Sequence, residues 1–403
     1  INNTAVGHIA QYLGTTGSNN TAVGHRAGRA NTAGNDNVAI GHYALDNNTA
    51  SNNVGVGNSA LTANTTGVRN TAIGSYALSA STTASYNVAV GYEALNDNTT
   101  GSSNTAVGDK CFDVNTTGTQ NTGMGQGAGG GNTTGSNNTF IGELSGYTNS
   151  TGNDNVSLGR AALYANTTGS SNVGVGNSAL KANTTAAYNT AIGYDALGAT
   201  TTGASNIAIG YLALSSNTTG AENTALGSHA LENNTASQNV AVGHDASQAN
   251  TSGAHNTAVG SFSQHVNTTG SHNTSLGKSS LGYNTTGSEN TALGRNALNA
   301  NTTASNNTAV GCKALYVNTT GAYNTAGGAH ALDANTTGNE NTAVGRAALG
   351  ASTTGHNNTA VGFNCLDANT TGEQNTSVGS YALSTNTTTD YNTGIGYNAL
   401  GTN

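Results

Sequence analysis

The chain has 403 residues, among them 62 Asn, 65 Thr and 57 Gly, no Pro, no Trp and only 7% charged residues, against roughly 25% charged in an ordinary soluble domain. Such a composition cannot fill a conventional globular core, and an enzyme built on one is excluded. The 34% of apolar residues recur on a schedule, which sets the chain apart from charged disordered sequences. Ten Lys and Arg with a net charge of −8 supply no basic tract for phosphates, and no apolar run reaches the roughly 18 residues that span a bilayer. Neither a nucleic-acid partner nor membrane insertion is expected.

One marker orders the whole chain. A Gly closes each NTAVG-like segment, at Gly7, Gly24, Gly41, Gly57 and onward to Gly396, 24 times in all. The spacing is 17 residues except at two steps of 16, Gly41 to Gly57 and Gly227 to Gly243, each of which drops one residue from a polar stretch. Deletions there mark a turn, and a fixed period of this length marks a repeat architecture. The consensus is N-T-A-V-G-x-x-A-L-x-x-N-T-T-G-x-x; its residues are called positions 1 to 17, with the marker Gly at position 5.

The unit opens on a predicted strand. Position 4 is Val, Ile, Leu or Met in 23 of 24 units, with Gly327 the exception, and position 2 is Thr, Val or Ile in every unit. This period-two alternation predicts a strand of about five residues, with the Val/Ile and Thr/Val columns turned inward. The Ala-Leu pair, as in Ala44-Leu45 and Ala77-Leu78, predicts a shorter second strand after a tight turn, and the NTTG segment a polar return. Seventeen residues without a 3.6-residue period suit one coil of an all-β parallel solenoid, or β-roll. About 24 coils stacked at roughly 4.8 Å would make one continuous array over residues 1–403, a rod of roughly 115 Å, with Asn and Thr columns lining its turns and surface. One Val, one Leu, one Ala and a half-buried Thr are little apolar burial for 17 ordered residues. Packing against other chains is therefore expected.

The segments NTAVG, NVAIG (Asn37 to Gly41), NTAIG (Asn70 to Gly74) and NVAVG (Asn87 to Gly91) resemble the SVAIG-type repeat of YadA-like trimeric autotransporter adhesin heads. Similar NTAVG…AL…NTTG arrays occur in bacterial surface proteins and phage tail fibres of that type. The resemblance runs from Asn3 to Leu400. It implies a left-handed β-roll, three identical chains side by side, and an extracellular place on a cell surface or virion fibre. It also implies a structural or adhesive role toward host-surface or matrix glycans and proteins. The 17-residue unit is longer than that family's typical one, and neither a heptad stalk nor a membrane anchor is present. The sequence opens at Ile1-Asn2 inside a unit and stops at Gly401-Thr402-Asn403 with no capping sequence. A segment of a longer fibre, or units that stack end to end, is expected on that ground.

Several apparent motifs dissolve into the repeat. Gly55-Val56-Gly57-Asn58-Ser59-Ala60 and Gly174-Val175-Gly176-Asn177-Ser178-Ala179 match a loose dinucleotide fingerprint without the βαβ unit that gives it meaning. Gly129-Gly130-Gly131 lacks the Lys of a phosphate loop and reads as a flexible turn. Cys111 and Cys365 take the place of a small Ala at position 8 and Cys312 follows a marker; too distant to pair within one rod, they read as small side chains. His8, His25 and His42 follow successive markers and should stack about 5 Å apart, in what reads as a tolerant exposed turn. The 18 acids form no calcium pattern and no catalytic pair. No catalysis, no cofactor and no metal are expected.

The strongest feature is the Asn-Thr-Thr column, with Asn64, Asn98, Asn115, Asn132, Asn166, Asn183, Asn217, Asn267, Asn284, Asn301, Asn318, Asn335, Asn369 and Asn386 at position 12. Its readings are a structural Asn ladder, an array of N-linked glycan acceptors, or regular Asn and Thr columns that order water or ice. Variable outward positions offer Tyr92, Tyr194, Tyr211, Tyr397, His229 and His330 for contact with glycans. The sequence thus leads to a non-catalytic structural and adhesive extracellular fibre, self-associated as a homotrimer or end to end, with an ice- or water-binding solenoid as the alternative.

Overall fold

The computed structural model describes residues 2–401; Ile1, Thr402 and Asn403, which carry part of the reading of the termini, lie outside the described residues. The chain forms two compact units, one ending at Ala204 and one beginning at Ser205. Each is a parallel β-solenoid, with no helix among the described residues. The first carries twelve strands, from Thr4–Val6 to Thr190–Ile192, and the second twelve, from Ile207–Ile209 to Thr393–Ile395. Within each unit every strand pairs in parallel with the next at equivalent positions, as Thr71, Ala72 and Ile73 do with Val88, Ala89 and Val90. The spacing of the marker glycines is thus the length of the coil.

Each strand has three residues, not the expected five. At its start, the N–H of the position-1 Asn leaves the ladder and donates to a side chain, as Asn70 N does to Asn53 Oδ1 at 2.9 Å. At its end the marker Gly turns the chain with φ near +130°; at Gly24, φ is +132° and a Cβ would lie 2.6 Å from the carbonyl oxygen of Gly41 in the next coil. No other residue fits this approach, and the column is Gly in all 24 units.

The expected second strand is replaced by a run of turns in which positions 7 and 9 both take left-handed dihedrals, as at Tyr76 (φ 62°) and Leu78 (φ 50°). The alternation still sends N–H groups to both neighbouring coils: Tyr76 N donates to Asn58 O at 2.9 Å, and Leu78 N to Ala94 O at 3.0 Å. A left-handed Leu costs about 1–2 kcal/mol. Its complete burial returns a comparable or larger amount, about 1.5–3 kcal/mol, so the column persists.

The expected inward face of the strand is the outward one. Ala72, at position 3, is fully buried, whereas Ile73, at position 4, is 42% exposed; Val6, Val23, Ile40, Met124 and Leu276 stand outward likewise. Alternation places neighbours on opposite faces without saying which face is inside. A 17-residue coil encloses too little space for more than Ala at the strand centre. The interior already holds Ala at position 8 and Leu at position 9, as Ala77 and Leu78 do, together with two Asn side chains per coil, as Asn64 and Asn70 do.

Volume is balanced between coils where the core departs from this pattern. Phe112 takes a Leu position and Phe140 an Ala position, both fully buried with ring centroids 5.9 Å apart. Gly123, Gly129 and Gly146 face them: a Cβ on Gly146 would lie 2.6 Å from Phe140 and one on Gly129 would overlap Phe112. Gly129 is therefore a hole for a ring rather than the flexible turn its sequence suggests. In the 16-residue coils the missing residue comes from the turn, as expected. Asn48 Nδ2 there reaches Ala50 O at 2.8 Å, two residues on instead of three, and both Asn columns continue.

Candidate functional site

The surfaces follow from these columns. On the outer face of each sheet, positions 2 and 4 make two parallel ladders, Thr/Val and Val/Ile/Leu, repeating at the inter-strand spacing of about 4.8 Å. Side chains of the second ladder stay substantially exposed along both units, such as Val23, Ile73 and Ile192 in the first and Leu226, Val310 and Val361 in the second.

The Asn columns lie inside, not along the surface. Thirteen of the fourteen Asn-Thr-Thr asparagines are buried to 1% exposure or less, and Asn386, in the last coil, is half-buried. The ladder is direct: Asn115 Nδ2 donates to Asn98 Oδ1 at 2.8 Å and to Gly118 O at 3.1 Å, and Asn132 Nδ2 repeats both bonds to Asn115 Oδ1 and Gly135 O. Both hydrogens of the Asn115 and Asn132 amides are used, so there the nitrogen that a glycan would occupy is engaged and out of solvent. A second buried ladder, missed in the sequence, runs at position 1. Asn70 Oδ1 accepts from Asn87 N at 3.0 Å and Asn87 Nδ2 at 3.2 Å, while Asn70 Nδ2 donates to Ala84 O at 2.8 Å. The leading N of NTAVG, read only as part of the strand motif, was its signal. Thr side chains hold the outer edge of the turn, where Thr99 Oγ1 donates to Thr116 O at 3.0 Å and the second Thr, such as Thr100 or Thr117, faces solvent.

The His column stacks as its spacing predicts, with ring centroids 5.3 Å apart for His8 and His25 and 5.1 Å for His25 and His42. Desolvation, followed by the neighbouring His42, His8 and Arg26, pushes His25 below the usual imidazole range. Beside it, Arg26 lies 4.6 Å over the Tyr43 ring. Arg26 and Arg29 both pair with Asp46, at 2.9 and 2.8 Å. Burial pushes the Asp46 carboxyl up, but Arg29 and Arg26 outweigh it and hold it below its ordinary range. No cluster of three or more His, Cys, Asp or Glu able to hold a metal occurs among the described residues.

Tyr92, Tyr194, Tyr211 and Tyr397 stand exposed. His229 and His330 are half-buried and tied to Glu232 (2.9 Å) and Asp333 (2.7 Å). All three thiols are free; Cys111 and Cys365 are buried and Cys312 is partly exposed.

A cleft of about 230 Å³ in the second unit is lined by Phe262, His265, Ser279, Gly282, Tyr283, Asn296 and Asn299. Position 10 bears His265, Gly282 and Asn299 in successive coils, and the missing side chain at Gly282 opens the floor. The consensus hides this place. Its signals were a Gly in a column of mostly larger side chains and Tyr283, the one aromatic residue at position 11.

Compared with known proteins, the chain matches no family model, and no curated protein matches it.

Proposed function

We propose that the chain is a non-catalytic structural and adhesive fibre segment, assembled from copies packed on their outer strand faces and working outside the cell. The observation that carries this reading is the outward Val/Ile/Leu ladder beside the Thr/Val ladder. Monomeric soluble proteins rarely expose contiguous apolar patches larger than a few hundred Å², and these ladders run through the twelve coils of the first unit and, interrupted only at Gly327 on the second ladder, through those of the second. A flat, parallel, β-branched surface suits packing against the same surface of another copy. The resemblance of NVAIG and NTAIG to adhesin-head repeats favours three chains.

The test is the mass of the full chain in solution by sedimentation, beside an Ile73→Lys, Ile192→Lys variant. Both positions face outward, so the variant keeps its coil fold by circular dichroism. A threefold mass that falls to that of one chain in the variant supports the reading. A single-chain mass for the unaltered protein at every concentration overturns it.

A second reading has its own observation. The outward Thr residues of position 2, such as Thr274, Thr291 and Thr308 on consecutive strands, form a regular hydroxyl array beside methyl-bearing side chains, a surface suited to ordering water. Only this Thr array and the exposed turn Thr residues serve that reading, because the Asn columns are internal. Thermal hysteresis and ice recrystallisation assays separate it from the fibre.

A further inference from the structure

We infer that the cleft around Gly282 is a binding site for one neutral pyranose ring. Its floor exists because three consecutive coils place His265, Gly282 and Asn299 in one column. Where the same column has Gly130, the Tyr147 ring of the next coil covers the gap, 3.0 Å from where a Cβ would stand. At Gly282 the next coil brings no ring; the Asn299 amide forms the floor instead, its Nδ2 2.9 Å from where a Cβ would stand and donating to Ser279 O at 2.8 Å, and the cleft lies above it.

The walls supply two kinds of contact. Phe262 and Tyr283 present exposed rings, 36% and 59% accessible, to its lining. Phe262 is fixed edgewise by His244 and His265, both with centroids at 5.4 Å, so its orientation is set before any ligand arrives. The electron-rich face of such a ring attracts C–H groups, which a pyranose presents on its axial faces. The lining also holds hydrogen-bonding groups without charge. Asn299 keeps Oδ1 as an acceptor, while Asn296 and Ser279 add an amide and a hydroxyl. His265 Nδ1 lies 3.3 Å from Asp245 O; a carbonyl can only accept, so Nδ1 donates there.

Size and charge narrow the ligand. The volume of about 230 Å³ falls below the roughly 300–1,000 Å³ of drug-sized sites, which suits one small ring. No Lys, Arg, Asp or Glu lines the cleft, so nothing there compensates a phosphate or a carboxylate. A neutral hexopyranose offers both apolar faces and equatorial hydroxyls to such a lining. The inference deepens the adhesive reading, on which it rests only for the surface to which that sugar would be attached.

The experiment titrates the full chain with methyl glycosides of glucose, galactose, mannose and N-acetylglucosamine, read by ligand-observed NMR, with adenosine and inorganic phosphate as competitors of other chemistry. One glycoside is expected to saturate with a dissociation constant on the order of 1 mM. Tyr283→Ala removes a largely exposed ring and should weaken it by roughly tenfold, an aromatic contact of about 1.5 kcal/mol. Gly282→Ala, whose Cβ would lie 2.9 Å from Asn299 Nδ2, should weaken it as well, and both variants should melt like the parent. No saturation by any glycoside, equal binding in both variants, or a preference for adenosine or phosphate would overturn the assignment. Free glycosides are read on the chain whatever its assembly state, so a failed trimer and a failed sugar site give different results.

Discussion

The Asn ladder at position 12 is interrupted where the column carries Ser, and repairing it should stabilise the fold. Ser352 stands between Asn335 and Asn369, and Ser81 between Asn64 and Asn98. Ser352 Oγ and Asn335 Oδ1 are buried without a hydrogen-bond partner, as are Ser81 Oγ and Asn64 Oδ1. Each unmet buried atom costs about 1–3 kcal/mol. Ser352→Asn would make the rung from Asn335 and offer Oδ1 to Asn369 Nδ2, in the geometry that joins Asn335 Nδ2 to Asn318 Oδ1 at 2.8 Å. Ordering the longer side chain costs part of this, about 1 kcal/mol. A net gain of about 1–3 kcal/mol remains, which for a unit of this size raises the melting temperature by roughly 2–4 °C per kcal/mol. Repeat arrays depart from two-state melting, so amide exchange in the coils from Asn335 to Asn369 is the sharper assay and should slow tenfold or more, about 1.4 kcal/mol. Ser352→Ala is the control: it removes the unmet hydroxyl without making a rung, and should recover less. Faster exchange in Ser352→Asn than in the parent would refute the ladder as a source of stability.

Three further outcomes follow from the same geometry. Ser247 is a buried Leu-column residue with an unpartnered hydroxyl and φ of 49°, close to the 51° of Leu231 and the 49° of Gln264 in the coils on either side. Ser247→Leu should therefore stabilise the second unit by about 2 kcal/mol, measured by thermal melting. Gly129→Leu should destabilise the first unit by about 3 kcal/mol or more through overlap with Phe112, and Phe112→Leu should recover most of that loss; a double-mutant cycle showing simple additivity would deny the packing. Burial pushes the Cys111 thiol up to about 12, and desolvation raises Cys365 as well. Iodoacetamide at pH 8 should therefore label Cys312 in the native chain and all three cysteines after denaturation, counted by mass spectrometry.

Much of the fold was legible because a repeat multiplies every signal. The marker Gly fixed the coil length, the two 16-residue steps located a turn, and the Ala-Leu pair located the core. Cys111 and Cys365 fell on buried small positions as read, and His8, His25 and His42 stacked. Less legible was anything that depends on which side of the backbone is inside. The TAV alternation is equally satisfied with Ala inward or with Thr and Val inward, and the habit of burying the larger residue chose the wrong face. The Asn residues were placed outside because amides usually are; a ladder that pairs most of their donors and acceptors is the exception that permits burial. Leu78 gave no sign of its left-handed dihedral, since Leu ordinarily avoids it. The cleft at Gly282 was invisible to a consensus because it consists of departures from one.

Inverted strands and buried amides are consequences of one constraint. A coil of 17 residues has room for Ala, Ala, Leu and two amides, and the amides converge on one carbonyl: Gly67 O accepts from Asn53 at 2.9 Å and from Asn64 at 2.9 Å. A slip of one residue would carry both amides to the opposite face and leave that carbonyl and two donors unpaired, so the polar interior specifies register more sharply than an apolar one could. The remaining apolar residues have no place inside and stand in ladders on the outer face. Positions 1, 8, 9 and 12 therefore govern the stability of each solenoid, whereas positions 2 and 4 are left to whatever covers the outer face. That division is what the proposed fibre role would require: a coil that stacks correctly by itself, and an outward apolar surface free for another chain to cover.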